Sequence, residues 1–227
     1  MPFITTSDEV KLFFEEAGKG TPLILAHEFG GDSRSWDLQI RHFARNYRVI
    51  AFNARGYPPS DVPEDVSLYS QMRATADILD LLDALEIEKA HIIGLSMGGF
   101  ATLHFGFNFP NRALSLTVAG AGYGAHPEVH KQFSKETNQV AGRIETDTME
   151  KFAEIYAIGP TRVQFANKDP YGWRKFANQL KQHSTIGSAN TMRSVQGKRP
   201  SLYDFSKEMK KLTIPTLIMN GDEDDPC

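Results

Sequence analysis

The stretch Gly94-Leu95-Ser96-Met97-Gly98 decides the fold of this chain, because it follows the apolar run Ala90-His91-Ile92-Ile93 and precedes a helix-like segment that begins at Gly99. A G-x-S-x-G sequence between a strand and a helix makes a turn so sharp that the residues flanking the serine must be nearly free of side chain. The serine is left exposed in a strained backbone conformation, and the helix aims unpaired N–H groups at the space above its hydroxyl. This context is typical of a nucleophile, so Ser96 is our candidate.

The composition indicates one large α/β domain. The chain has 227 residues, of which 41% are hydrophobic and 23% charged, which is enough for an ample core. A net charge of −3 gives no reason to expect nucleic acid as a partner, because neutralising phosphates needs a concentrated basic face. The one cysteine, Cys227, cannot form an internal disulfide.

The start of the chain lacks the basic residues and long apolar core of a secretion signal. No stretch approaches the ~20 apolar residues that cross a bilayer. We therefore expect a cytoplasmic protein with no membrane partner, and the sequence leaves a homo-oligomer open.

Short apolar runs alternate with helical stretches, which predicts an α/β fold with a mostly parallel sheet flanked by helices. Most of these runs are too apolar to have a solvated face, as expected of parallel strands that helices cover on both sides. The candidate strands are 12–15, 22–26, 49–53, 90–94, 114–119 and 215–219. The apolar residues of 67–85 recur at helical spacing, and we expect the aspartates of this helix to be solvated: Asp77, Asp80 and Asp83.

The segment 126–211 breaks this alternation, since it contains helix-like pieces and scattered aromatic residues but no clear strand. It is interpreted as a helical cap, or lid, inserted into a core formed by 1–125 and 212–227. The cap has 15 basic and 9 acidic residues, a net charge of +6, and the remainder has 10 basic and 19 acidic residues, a net charge of −9. We hypothesise that the basic cap docks on the acidic core and draws anionic substrates to the cleft; the alternative is a set of ordinary solvated helices whose charge has little effect.

A serine hydroxyl attacks a carbonyl well only when a base takes its proton, an acid orients that base and N–H groups bind the oxyanion. The N–H of Met97, directly after the nucleophile, is one expected donor. The second is expected from the loop after an early strand, where Gly30 and Gly31 allow the backbone to approach a ligand, and Phe29 is our choice. His27 closes that strand, and we expect it to brace the loop rather than act as the base.

The acid is expected on a loop at the carboxyl edge of a late strand, where catalytic groups gather in such sheets. The run 214–221 leads to such a loop, which carries Asp222, Glu223, Asp224 and Asp225.

These motifs resemble those of α/β-hydrolases of the lidded carboxylesterase and enol-lactonase type, over nearly the whole chain. The segment 94–99 resembles the nucleophile elbow of that family, His27-Glu28-Phe29-Gly30 its His-Gly-x-Gly oxyanion loop, and 53–57 its Arg-Gly-Tyr turn. In the family the triad aspartate lies three positions after the glycine that ends the acid strand. The resemblance therefore implies Asp224 as the acid, with Asp222 and Asp225 as alternatives.

The sequence departs from the family at two places. Glu28 stands where the pattern has glycine, and its side chain is expected to alter the entrance to the oxyanion hole or to pair with a nearby donor. The family's catalytic histidine follows the acid by some tens of residues, and none of the seven histidines does so here. We expect that the sequence is a fragment of a longer enzyme, the alternative being a protein that has lost hydrolysis and keeps the pocket for binding.

The resemblance and the residues together imply a serine hydrolase that uses no cofactor or metal and cleaves a small carboxylic ester or lactone through an acyl-enzyme on Ser96. Hydrolysis of carbon–carbon bonds and perhydrolysis use the same triad on the same fold and remain alternatives. A non-catalytic ligand-binding protein is the alternative from another class.

Overall fold

The alternating runs of the sequence form one seven-stranded sheet in the computed structural model, which describes residues 2–224. The strand order is β1-β2-β4-β3-β5-β6-β7, and β3 to β7 run parallel. The strands are β1 (Phe3–Thr5), β2 (Lys11–Ala17), β3 (Thr21–Ala26), β4 (Tyr47–Phe52), β5 (Ala90–Leu95), β6 (Ala113–Ala119) and β7 (Thr216–Met219).

Strand β2 corrects the expectation that the run 12–15 is one of the parallel strands, because it pairs antiparallel with both β1 and β4. Only residues 18–20 separate β2 from β3. A connection this short cannot hold the crossover that two parallel strands need, so the chain reverses direction between β2 and β3, which lie on either side of β4.

Helices cover both faces of the sheet, as predicted. Ile24 packs into a core with residues of α2 and α3, whereas Leu23 and Leu25 point to the opposite face and pack with Trp36 and the side chains of α1. The helices are α1 (Asp37–Phe43), α2 (Gln71–Ala84), α3 (Met97–Asn108), α4 (Pro127–Tyr156), α5 (Val163–Lys168), α6 (Pro170–Leu180), α7 (Thr185–Asn190) and α8 (Ser206–Lys211). None of the helices that the structure describes is long and apolar enough to span a bilayer.

Strand β7 lies at one edge of the sheet that the described residues form. More than half of the surface of each of Leu217, Ile218 and Met219 is exposed there.

The aspartates of α2 were expected to be solvated, and this is wrong for two of the three. Asp77 is 1% exposed, and Arg55 donates to its two carboxylate oxygens over 2.9 and 2.7 Å. Asp80 is largely buried and paired with Arg73. Only Asp83 has a mostly exposed side chain. The prediction fails because the turn after β4 places Arg55 against α2, and a helical wheel contains no information about that turn.

Between β6 and β7, the described chain forms helices and turns but no strand. Its two ends are tied together, since the Arg199 guanidinium donates to the Tyr123 carbonyl and the Ser201 hydroxyl to the Ala125 carbonyl. Phe205, beyond this point, stacks on Phe107 of the core helix α3 with ring centroids 5.5 Å apart. The division into a core and a cap at 126–211 stays a prediction, and these contacts favour an end of the cap near residue 201.

Candidate active site

Ser96 lies between β5 and α3 in a backbone conformation that only a tight turn imposes, with φ 51° and ψ −110°. Its N–H donates to the Ala119 carbonyl of the neighbouring strand β6 over 2.8 Å. A Cβ on Gly94 would stand 2.1 Å from the Gly98 carbonyl oxygen, and one on Gly98 would stand 2.1 Å from the Ala26 carbonyl oxygen. Both glycines are therefore required, as the pentapeptide pattern predicts.

The Ser96 side chain is partly exposed, and no hydrogen bond within residues 2–224 engages its hydroxyl. Met97 is the first residue of α3, so its N–H has no acceptor within the helix. The hydroxyl thus stands free at the positive end of a helix, where negative charge is stabilised.

The loop after β3 is attached directly to this helix end, since the Gly98 N–H donates to the His27 carbonyl over 3.1 Å. His27 is 2% exposed, and both of its ring nitrogens are bonded. Its Nε2 accepts from the Ala54 N–H over 3.0 Å, so Nδ1 carries the proton and donates to the Glu28 carbonyl over 2.7 Å. Burial lowers the pKa of His27 to about 4 and keeps it neutral at pH 7. These contacts support the interpretation of His27 as a brace.

The hydrogen bond from His27 to the Glu28 carbonyl fixes the direction of the Phe29 N–H, the second expected oxyanion donor. In a trans peptide the carbonyl of Glu28 and the N–H of Phe29 point to opposite sides. The Glu28 carbonyl accepts from His27 Nδ1 and from the Gly31 N–H, the latter over 3.1 Å. Two donors behind the peptide hold the Phe29 N–H in place and polarise it.

Tyr57 is a supporting residue that sequence reasoning missed. Its side chain is fully buried and its hydroxyl donates to the Phe29 carbonyl over 3.0 Å, while its ring contacts His27 with centroids 4.6 Å apart. The Arg-Gly-Tyr turn was recognised as a motif, and its position after β4 was the available signal. The loop 27–31 is therefore held in place by Tyr57 as well as by the hydrogen bond from α3.

Asp224 lies on the loop after β7, at the same edge of the sheet as Ser96. Its N–H donates to the Gly221 carbonyl over 3.2 Å, and its Oδ2 lies 3.7 Å from the place of a Cβ on Gly120, the residue after β6. Asp224 is partly buried, whereas Asp222 is exposed. Asp225 falls outside the described residues.

No histidine hydrogen-bonds to Ser96 or to Asp224 in the part of the chain that the structure describes. Five histidines form hydrogen bonds with other residues: His27, His91, His126, His130 and His183. The other two, His42 and His104, make ring contacts. The described residues therefore place Ser96 at the N-terminus of α3, attach the loop that carries Phe29 to that helix end and place Asp224 at the same edge of the sheet, while none of their histidines is bonded to Ser96.

Residues of the predicted cap lie directly over the loop 27–31. The Glu28 carboxylate pairs with Arg162 Nη2 over 2.5 Å, which confirms the expectation that Glu28 finds a donor. A Cβ on Gly30 would stand 3.2 Å from ring atoms of both Tyr156 and Phe176. Two aromatic residues of the predicted cap, Tyr156 and Phe176, thus lie against the loop 27–31.

A separate cluster of carboxylates lies under α2, where oxygens of Asp8, Asp77 and Asp80 come within 4.8 Å of one another. Arg55 and Arg73 supply the balancing positive charge there. We assign no metal to this cluster, because two guanidinium groups already occupy the carboxylate oxygens.

A family model for the alpha/beta hydrolase fold matches residues 21–226, and the chain belongs to this family. It is similar to 3-oxoadipate enol-lactonase 1 from Acinetobacter baylyi, with 29% identity over 210 residues that cover 89% of this chain and 71% of the lactonase. It is also similar to 2-hydroxy-6-oxononadienedioate/2-hydroxy-6-oxononatrienedioate hydrolase from Paraburkholderia xenovorans, with 26% identity over 95% of this chain and 75% of that hydrolase.

Among solved structures, a thermophilic esterase from Thermogutta terrifontis superposes with a TM-score of 0.84 at 25% identity, covering 97% of this chain and 79% of the esterase. A hydrolase from Pseudomonas aeruginosa superposes with a TM-score of 0.82, also at 25% identity and with the same coverage of both chains. The predicted α/β-hydrolase fold and the resemblance to esterases and enol-lactonases are confirmed.

Proposed function

We propose that this protein is a serine hydrolase that cleaves a small carboxylic ester or lactone through an acyl-enzyme on Ser96. The observation that carries the proposal is the Ser96 hydroxyl, which is free of hydrogen bonds in the described residues and stands at the N-terminus of α3. The similarity to an enol-lactonase and to an esterase supports the same reaction class.

In the proposed reaction Ser96 Oγ attacks the substrate carbonyl carbon while its proton passes to a base. The oxyanion of the tetrahedral intermediate accepts from the N–H groups of Met97 and Phe29, and one such donor is worth about 10²–10³ in kcat. Collapse of the intermediate releases the alcohol oxygen, which takes the proton back from the base, and water then cleaves the acyl-enzyme in the same way. Asp224 is the proposed acid, whose role is to orient the base, and no histidine bonds to it among residues 2–224.

Hydrolysis of a carbon–carbon bond is a second candidate, and the named activity of the Paraburkholderia relative favours it. The same nucleophile and oxyanion donors serve both reactions. A matched pair of substrates, one ester and one vinylogous diketone with the same acyl group, separates the two by their relative kcat/KM. A cytoplasmic location, a homo-oligomer and a perhydrolase activity remain predictions.

The proposal is tested with a fluorophosphonate probe on the full-length gene product. We expect the probe to label Ser96, the label to vanish in Ser96→Ala, and the hydrolysis of p-nitrophenyl butyrate to fall by about 10³-fold or more in that variant. Ser206→Ala is the matched control, because Ser206 is exposed, bonds to the Tyr203 carbonyl and has no part in the proposed reaction. A folded protein that takes up no probe at Ser96 would instead be a ligand-binding member of the family.

A further inference from the structure

Glu28 and Arg162 form a shielded ion pair at the oxyanion loop. Their side chains are 14% and 15% exposed, and they belong to the loop after β3 and to the turn before α5, which are 134 positions apart in the chain. The carbonyl carbon of Glu28 is bonded to the nitrogen of Phe29, the proposed oxyanion donor. The pair therefore belongs to the loop that carries the proposed oxyanion donor.

The Arg162 guanidinium is enclosed by aromatic rings. Its Cζ lies 5.2 Å from the centroid of the Tyr156 ring and 4.8 Å from that of Phe176, and its Nη2 also donates to the Tyr156 hydroxyl over 3.2 Å. Its Nε is buried and has no hydrogen-bond partner among the described residues. The Glu28 carboxylate is thus the group that balances this charge in the part of the chain described.

We propose that Glu28 determines the substrate charge preference of this site: by pairing with Arg162 it cancels a cation in contact with the loop 27–31, so the site selects uncharged esters or lactones over those that carry a carboxylate. This inference rests on the proposed function and names its substrate class. A substrate carboxylate near Arg162 would have to displace Glu28 or lie beside its negative charge. An uncharged acyl group instead meets the rings of Tyr156 and Phe176, and gains from burial against them.

The inference differs from the hypothesis that the net positive cap attracts anionic substrates. Long-range attraction depends on the total charge of cap and core, and salt screens it. Neutralisation by Glu28 depends on one carboxylate in contact with one guanidinium. A change of one charge unit therefore has a different effect at Glu28 than at a distant surface site.

The test compares kcat/KM for p-nitrophenyl butyrate and p-nitrophenyl hemisuccinate, whose acyl chains have equal length and differ by the terminal carboxylate. In Glu28→Gln the amide oxygen still accepts from Arg162 and holds the cap in place, while the guanidinium charge is uncovered. We expect the hemisuccinate-to-butyrate ratio to rise about tenfold or more in this variant, because a charge-assisted bond to the substrate becomes available. In Arg162→Gln, where Glu28 is left uncompensated, the ratio must fall below that of the wild type.

Asp37→Asn is the matched control, because Asp37 pairs with the cap residue Lys175 over 3.7 Å at an exposed site. It changes the net charge of the protein by the same unit, and we expect it to leave the ratio unchanged. An equal shift in Asp37→Asn and Glu28→Gln would overturn the inference in favour of long-range attraction. A wild-type preference for the hemisuccinate would also overturn it.

A binding measurement separates this inference from the proposed function. Titration calorimetry with succinamate and with butyramide needs no turnover, and we expect Glu28→Gln to bind succinamate about tenfold more tightly than the wild type does, relative to butyramide. If no variant hydrolyses either ester while succinamate binding still responds to Glu28→Gln, the proposed function fails and the charge preference holds. If both esters are hydrolysed and neither readout responds, the charge preference fails and the function holds.

Discussion

Replacing Asp77 by asparagine tests the buried ion-pair network under α2. Asp77 is 1% exposed and accepts from two nitrogens of Arg55, which is itself 3% exposed. Breaking a buried pair by removing one charge costs about 3–5 kcal/mol. Arg55 keeps its bonds to Asp8 over 2.8 and 2.9 Å and to the Leu68 carbonyl over 2.8 Å, so we expect a loss near the lower end, about 3 kcal/mol.

The matched control is Asp83→Asn on the same helix, because Asp83 is 56% exposed and pairs with Arg112 over 2.7 Å. An exposed pair contributes about 0–1 kcal/mol. In urea unfolding, with an m-value of about 2–3 kcal/mol/M, the midpoint of Asp77→Asn should lie about 1 M below that of Asp83→Asn. Equal midpoints for the two variants would refute the reasoning that burial, rather than pairing, determines the cost.

Three further predictions concern the site and α3. Gly98→Ala places a Cβ 2.1 Å from the Ala26 carbonyl oxygen, so it should destabilise the fold by about 3 kcal/mol or more, measured by urea unfolding. Tyr57→Phe removes the hydrogen bond to the Phe29 carbonyl, and kcat for p-nitrophenyl butyrate should fall about tenfold with KM unchanged. Burial lowers the pKa of His104 to about 4, so the unfolded chain takes up the proton first and stability should fall as the pH drops from about 6.5 to 4. His104→Leu should flatten that dependence in urea midpoints taken across this range, and an unchanged slope would contradict it.

The elements that contain the elbow could be predicted from sequence because their causes are local. The run 90–94 is observed as β5 (Ala90–Leu95), and the glycines around Ser96 coincide with a positive φ at the serine itself. Apolar alternation and turn chemistry act over a few residues, so they can be recognised in one stretch of sequence.

The contacts that shape the site depend on residues far apart in the chain, and no local pattern predicts them. The pairing of Glu28 with Arg162 requires the cap to fold back on the loop after β3. Likewise the burial of Asp77 depends on Arg55, which lies 22 positions earlier. For Glu28, the signal was a departure from an expected glycine, which indicated that the side chain needed a partner without naming one.

Arg199 donates to the Tyr123 carbonyl and Ser201 donates to the Ala125 carbonyl. These two hydrogen bonds bring the segment that leaves β6 next to the segment that leads back to β7. A segment whose two ends lie close together is readily inserted or exchanged, because the rest of the domain keeps the same fold with or without it. We therefore expect that the predicted cap of this protein can be replaced by the corresponding segment of a relative, joined at the same two points, without a change in the strands or in the turn that carries Ser96.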